Sequence, residues 1–324
     1  VAEGIWAYYS QFLNGDGLLE RIRHMPDVPQ TVNILLVDWP QNMRDDYDAI
    51  TEGEIGDSCH NVINAFYIGA QKCLNKMAID LPFEAALEQA FDYYEAVTKE
   101  DIPRADGVKR SSDRVQRLMR AYARHQGTQA SIATLKDDLR NNDLTTLDED
   151  TIHSYLEALR KIFVIEDMPA WNPNLRSKTA IRTANTRYFV DPSIATAALG
   201  LGPNDLLADL NTMGFFFEAL AVRDLRVYAE AHNGKVYHYR DKKELECDAV
   251  IHLRDGRFGL IEIKLGGESL IEDGAKILNQ LESQIDTTRM KTPAFKMVLT
   301  ATGKHAYRRK EDGVYVVPIG CLRP

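Results

Sequence analysis

Residues 244 to 267 read ELECDAVIHLRDGRFGLIEIKLGG, two apolar, β-compatible runs separated by Arg254-Asp255-Gly256. No other stretch limits the fold as strongly. A three-residue hairpin loop commonly ends in a residue of positive φ, and Gly256 stands third in the loop. With that loop Val250 faces Leu260, Asp248 faces Glu262 and Glu246 faces Lys264. Alternation then places Leu260, Glu262 and Lys264 on one side of the sheet, with Ile261 and Ile263 on the other. A two-residue loop would set Asp248 opposite Ile263 and disperse the group. The expected hairpin therefore gathers two carboxylates and an ammonium at one end of a sheet, where charges among buried residues need partners.

That grouping suits phosphodiester hydrolysis. Asp248 and Glu262 can hold Mg²⁺ or Mn²⁺ through hard oxygen ligands, and the backbone carbonyl of Ile263 is a further candidate ligand. Lys264 is placed to orient or deprotonate an attacking water and to stabilise developing charge. Glu218, on the helix GFFFEALAVRDL, adds an acid if that helix packs against the same face. Gln280, on a later helix, is a candidate for orienting the water or a phosphate. Glu-x-Lys alone is weak, since it arises by chance about once in a chain of ordinary composition and this length. Asp248 followed by strand, turn and LIEIK is more specific. The competing reading is a structural ion pair of Lys264 with Glu246 or Glu262.

Around this hairpin the chain alternates helices and short apolar strands. From about residue 191, LLADLNTMGFFFEALAVRDLRVYAEA reads as one long amphipathic helix, then KVYHYR, the hairpin, the helix IEDGAKILNQLESQI, and the strands FKMVLTA and VYVVPIGCL. This predicts a mixed sheet covered by helices. Between about 104 and 190, DRVQRLMRAYARHQ carries Val115, Leu118, Met119 and Tyr122 on one side. SIATLKDDLR follows, with Ser131 as N-cap. TTLDEDTIHSYLEALRKI then places Ile152, Tyr155, Leu156 and Leu159 at i, i+3, i+4, i+7. FVIEDMPAW and TRYFVDP bracket a polar loop, and three helices with a hairpin describe a winged helix. Its third helix opens on Asp148, Glu149 and Asp150, where a groove-reading helix would present neutral or basic groups. A packing or protein-interaction module is thus the favoured role. Arg176, Lys178, Arg182 and Arg187 are the candidates for nucleic-acid contact.

Residues 1 to 80 carry less information. TVNILLVDWP reads as a buried strand ending at Asp38, but no G-x-x-x-x-G-K-[ST] occurs in the chain, so no ATP site is visible. His60 beside Cys59 has no partner at metal spacing, and the helix-compatible DSCHNVINAFYIGAQKCLNKMAI and PFEAALEQAFDYYEAVTKEDI form a first helical layer. The four cysteines include no CxxC pair, which favours reduced thiols in the cytoplasm. No run of about 18 apolar residues and no basic-then-apolar leader is seen, so no membrane association is expected. The net charge of −9 excludes a uniformly basic nucleic-acid binder, although local basic clusters such as Arg104 to Arg124 remain.

Residues from roughly 85 to 267 resemble the C-terminal region of bacterial and archaeal AAA-type ATPases, a domain of unknown function that follows the ATPase module. The resemblance rests on YYEAVTKEDIPR, VQRLMRAYARHQGTQASIATLKDDL, TIHSYLEALRKIFVIEDMPAW, RYFVDPSIATAALG, GFFFEALAVRDL and ELECDAVIHLRDGRFGLIEIKLG. It implies a C-terminal part similar to PD-(D/E)xK nucleases, with the motif on Asp248, Glu262 and Lys264 and Glu218 as the helix acid. Cys247 stands where that motif usually has proline, and the P-loop module is missing.

The expected fold is α+β, or mixed α/β, in three parts. Residues 1–100 are mainly helical, 101–190 form a winged-helix-like domain, and 191–324 form a restriction-endonuclease-like domain with a central mixed sheet flanked by helices. The leading functional expectation is a cytoplasmic, divalent-metal-dependent nuclease-like site acting on DNA or RNA. The alternative is a non-catalytic accessory module that binds a partner ATPase or another protein.

Overall fold

A computed structural model describes residues 83–102, 108, 110–142, 147–172, 184–288 and 290–322. The expected strand ending at Asp38, the Cys59-His60 pair, the helix that follows them, and Arg176, Lys178 and Arg182 all lie outside the described residues. The chain divides into two compact units between Asp101 and Ile102. In the first, α1 (Phe83–Ala96) runs on into a π-helical turn, Val97–Asp101.

The second unit, 102–324, opens with three helices, each built as its pattern requires. In α2 (Ser112–Arg124), Val115, Leu118, Met119 and Tyr122 are buried. α3 (Ile132–Asn142) starts where Ser131 Oγ accepts from the Thr134 amide at 3.0 Å. α4 (Glu149–Lys161) buries Ile152, Tyr155, Leu156 and Leu159, and Asp148 caps it by accepting from the Thr151 amide at 2.8 Å. The acidic start of this helix is thereby explained locally, because a cap and first-turn carboxylates match the helix dipole. The two segments that follow meet through antiparallel bridges, Ile165 with Phe189 and Met168 with Thr186. Beneath them Asp167 accepts from Arg160 at 2.6 Å, Arg187 at 2.7 Å and the Tyr122 hydroxyl.

α5 (Pro192–Leu199) and α6 (Pro203–Ala208) lead into α7 (Leu210–Ala231). The single long helix expected here is broken at Asp209. That carboxylate accepts from the Asn211 and Thr212 amides at 3.1 and 3.2 Å, so α7 starts afresh. An apolar period spans the break without registering that aspartate side chains compete for backbone amides.

A six-stranded sheet completes the unit: β1 (Gly234–Arg240), β2 (Glu246–Leu253), β3 (Phe258–Lys264), β4 (Phe295–Thr300), β5 (Tyr307–Arg308) and β6 (Tyr315–Pro318), in the order β1-β2-β3-β4-β6-β5. β3, β4 and β6 are parallel and the other pairs antiparallel, so the sheet is mixed, as expected. α8 (Glu268–Gln284) crosses from β3 to β4. Phe217, Ala221, Val222 and Leu225 of α7 pack on one face against Ala249, Ile261, Ile263 and Leu299. Ala275, Leu278 and Leu281 of α8 pack on the other against Val250, Leu260 and Val298. Among the described residues no helix is long and apolar enough to cross a membrane.

Candidate active site

The hairpin sets the geometry. Val250 pairs with Leu260, and Gly256 closes the turn at φ +82°, a conformation that costs a glycine little. The ladder between β2 and β3 runs to Ala249–Ile261 and stops there. On its other side β2 carries an extra residue, since Tyr237 pairs with Val250 but Tyr239 with Cys247. This bulge turns both Cys247 and Val250 toward the α8 layer and frees Asp248 from regular pairing.

Side chains complete what the ladder leaves open. The Ile263 amide donates to Asp248 Oδ2 at 2.7 Å, and the Asp248 amide donates to Glu262 Oε1 at 3.3 Å. Lys264 Nζ lies 3.1 Å from Asp248 Oδ2 and 2.7 Å from Glu262 Oε2. Glu262, only 1% exposed, leaves β3 toward α8, where a Cβ on Gly274 would lie 3.3 Å from its own Cβ. Asp248, Glu262 and Lys264 therefore converge. Glu246 does not join them, because it pairs with Arg240 at 2.6 Å.

Glu218 approaches from α7, on the other side of the sheet. Its carboxyl accepts from the buried Tyr188 hydroxyl and lies against Gly127, where an added Cβ would sit 3.6 and 3.7 Å from the two carboxyl oxygens. Burial, and next the charge of Asp248, push Glu218 up to about 8. Glu262 is also pushed up to about 8, by burial and then Asp248, against the pull of Lys264. Of the two, Glu218 is the better proton holder, since it meets a neutral phenol where Glu262 meets an ammonium. Burial alone would lower Lys264, but Asp248 and Glu262 outweigh it and hold the amine above its ordinary range. Asp248 and Glu262 thus favour the charged, hydrogen-bond-donating form of Lys264.

Asp248 and Glu262 share the one ammonium of Lys264, and Glu218, half-buried on α7, feels the charge of Asp248, so carboxyl groups outnumber cations at this end of the sheet. Protons or a divalent cation would relieve that imbalance. Among the described residues no three His, Cys, Asp or Glu side chains gather closely enough to hold a metal by themselves. Asp248, Glu262 and the Ile263 carbonyl are the fitting set: hard oxygen donors with excess negative charge, as Mg²⁺ or Mn²⁺ requires.

Gln280 does not reach the site. It is exposed on α8, six residues or about 240° beyond Gly274, away from the face of Ala275, Leu278 and Leu281. Arg187, 12% exposed on its side chain, is occupied by Asp167 at 2.7 Å and by the Ala130 carbonyl at 3.0 Å. Tyr188 and Gly127 were missed by sequence reasoning, since both meet Glu218 across long stretches of chain and carry no local signal.

Comparison with known proteins yields two family matches. Residues 83–205 match a domain of unknown function (DUF8612), and residues 213–322 match another (DUF4143). The second commonly lies C-terminal to AAA-type ATPases. No curated protein and no solved structure matches the chain. Asp248, Glu262, Lys264 and Glu218 thus fall within the second match, and Tyr188 and Gly127 within the first.

Proposed function

We propose that this chain is a cytoplasmic protein carrying a divalent-metal-dependent, nuclease-like phosphodiesterase site that acts on nucleic acid, on a restriction-endonuclease-like sheet preceded by a winged-helix-like segment. The observation that carries the proposal is the convergence of Asp248 and the buried Glu262 on Lys264 at 3.1 and 2.7 Å, with Glu218 near enough on α7 to feel the charge of Asp248. Asp248, Glu262 and the Ile263 carbonyl would hold Mg²⁺ or Mn²⁺, which supplies a Lewis acid beside the scissile phosphate. Lys264 donates to the attacking water and to the developing charge on phosphate, and Glu218 holds a proton at the edge of the pocket. The helix-hairpin order of 112–190 and the mixed sheet sandwiched by α7 and α8 support the two fold assignments.

With Mg²⁺ or Mn²⁺ supplied, single-stranded or duplex DNA or RNA should be cut, and Glu262→Ala and Lys264→Ala should each lower the rate by about 100-fold or more. Equal activity in wild type and both variants would overturn the proposal. One observation favours a second reading. Lys264 already bridges Asp248 and Glu262 at 3.1 and 2.7 Å, as in a structural ion pair, which suits a non-catalytic accessory module bound to an ATPase or another protein. Calorimetric titration separates the readings: Mn²⁺ heat that disappears in Glu262→Ala supports the first, and none in the wild type supports the second.

A further inference from the structure

The segment Thr302–Lys310, TGKHAYRRK, holds four cations and no acid in a chain of net charge −9. Its position is fixed by contacts at both flanks. The Ala301 amide donates to the Lys264 carbonyl at 3.2 Å, and Thr302 Oγ1 donates to the Leu265 carbonyl at 3.3 Å. A Cβ on Gly266 would run into Thr302, and one on Gly303 would lie 2.6 Å from Pro318 Cγ. The loop thus leaves β4 beside Lys264, crosses the end of β6 and enters β5 antiparallel to β6, with Tyr307 opposite Val316. Lys304 and His305 stand at the end of the sheet that carries Lys264. From β3 to β5 is three strand spacings, on the order of 14 Å.

Charges along this path are sorted. Arg309 turns inward to Glu272 at 2.5 Å, Asp312 at 3.1 Å and Glu311 at 3.2 Å, which occupies the nearby carboxylates. Among the described residues neither Lys304 nor Lys310 has a carboxylate within salt-bridge distance, and both are exposed. Arg308 lies over the Tyr315 ring, 5.5 Å from its centroid. Tyr315 shares a face with Arg308, so the exposed aromatic residue on the other face of β5 is Tyr307, 48% exposed. An exposed aromatic ring flanked in sequence by two exposed lysines is chemistry suited to a single-stranded polynucleotide, the ring stacking on a base and the ammonium groups meeting phosphates.

We propose that the 302–310 loop with β5 is a single-strand track that delivers nucleic acid to the Lys264 pocket. It rests on the nucleic-acid reading above and narrows the substrate to unpaired strands. The test is fluorescence anisotropy of the full chain with a fluorescein-labelled oligo-deoxythymidine and a duplex of equal length, in EDTA so that cleavage cannot intervene. The wild type is expected to bind the single strand. The double variant Lys304→Glu, Lys310→Glu should bind it about tenfold more weakly, with a salt-dependence slope reduced by about 1.4. Tyr307→Ala should weaken single-strand binding about fivefold or more and leave duplex binding unchanged. Undiminished binding by the double lysine variant overturns the track while sparing the nucleic-acid reading. Wild-type binding to neither strand nor duplex overturns both. A preference for duplex that is indifferent to Tyr307 overturns the assignment to single strands.

Discussion

Glu218 and Glu262 make the stability of this protein respond to pH in an unusual direction. Each is pushed from an ordinary value of 4.5 up to about 8 by burial and by the charge of Asp248. Between those limits these two groups bind more protons in the folded chain than in the unfolded one, so their contribution to stability is fullest on the acid side and falls as pH rises through that window. One fully linked proton corresponds to a slope of at most about 1.4 kcal/mol per pH unit. Glu218→Gln keeps the shape of the protonated side chain and removes one titration. Urea unfolding in EDTA at pH 5.5 and 7.5 should show a clear loss of wild-type stability at the higher pH and a smaller loss in the variant. An unchanged slope would mean that Glu218 does not hold the proton. The same imbalance gives the metal reading its content, because a divalent cation would suppress this pH dependence by replacing the protons.

At the scale of elements, α8 sets how closely Glu262 is covered. Gly274 lets the helix approach β3 and β4: a Cβ there would lie 3.2 Å from Val298 Cγ2 and 3.3 Å from Glu262 Cβ. Gly274→Val should cost about 1–3 kcal/mol through overpacking, read as a lower urea midpoint at constant slope, and should weaken Mn²⁺ binding by pushing Glu262 off Lys264. Much of this level was legible. The buried faces of α2 and α4, the Val250–Leu260 register near the turn and the Gly256 turn itself follow from periodicity and turn chemistry, because those signals are local. The expected Asp248–Glu262 and Glu246–Lys264 pairs, by contrast, lie beyond the end of the ladder. Three features escaped. Asp209 interrupts an apolar period with a cap, β5 is only two residues long, and the bulge in β2 depends on its pairing with β1 rather than on anything within ELECDAVIHL. The placement of Gln280 is a different case. Its outward phase was available from the spacing of Ala275, Leu278 and Leu281, and naming it ignored that period.

Across the whole second unit, the two matched domains share their cores rather than merely adjoining. Trp171, from the first, packs in the α8-side core, donates from its indole nitrogen to His252 Nδ1 at 3.2 Å and lies 5.0 Å from the Phe258 ring. Its amide donates to the His238 carbonyl at 2.6 Å, and the His238 amide donates to Pro169 at 3.1 Å, so this segment covers the β1 edge. Tyr188 enters the α7-side core, where Arg226 stacks on its ring at 5.6 Å and its hydroxyl donates to Glu218. Such contacts join residues far apart in sequence, which is why a boundary near residue 190, reasonable from the change of pattern, does not separate compact units. The surroundings of Glu218 are therefore supplied by both matched domains, and a double-mutant cycle measures the connection. Tyr188→Phe removes only the donor and Glu218→Gln only the acid. If the hydroxyl–carboxyl bond joins the two parts, the cycle should return a coupling of about 1 kcal/mol or more in urea unfolding, since each single variant leaves a buried polar group without its native partner. Domains that fold independently would give a coupling near zero. They would also lose the β3 and α4 amide protections at different denaturant concentrations, whereas a shared core requires native-state hydrogen exchange at both elements to follow one opening.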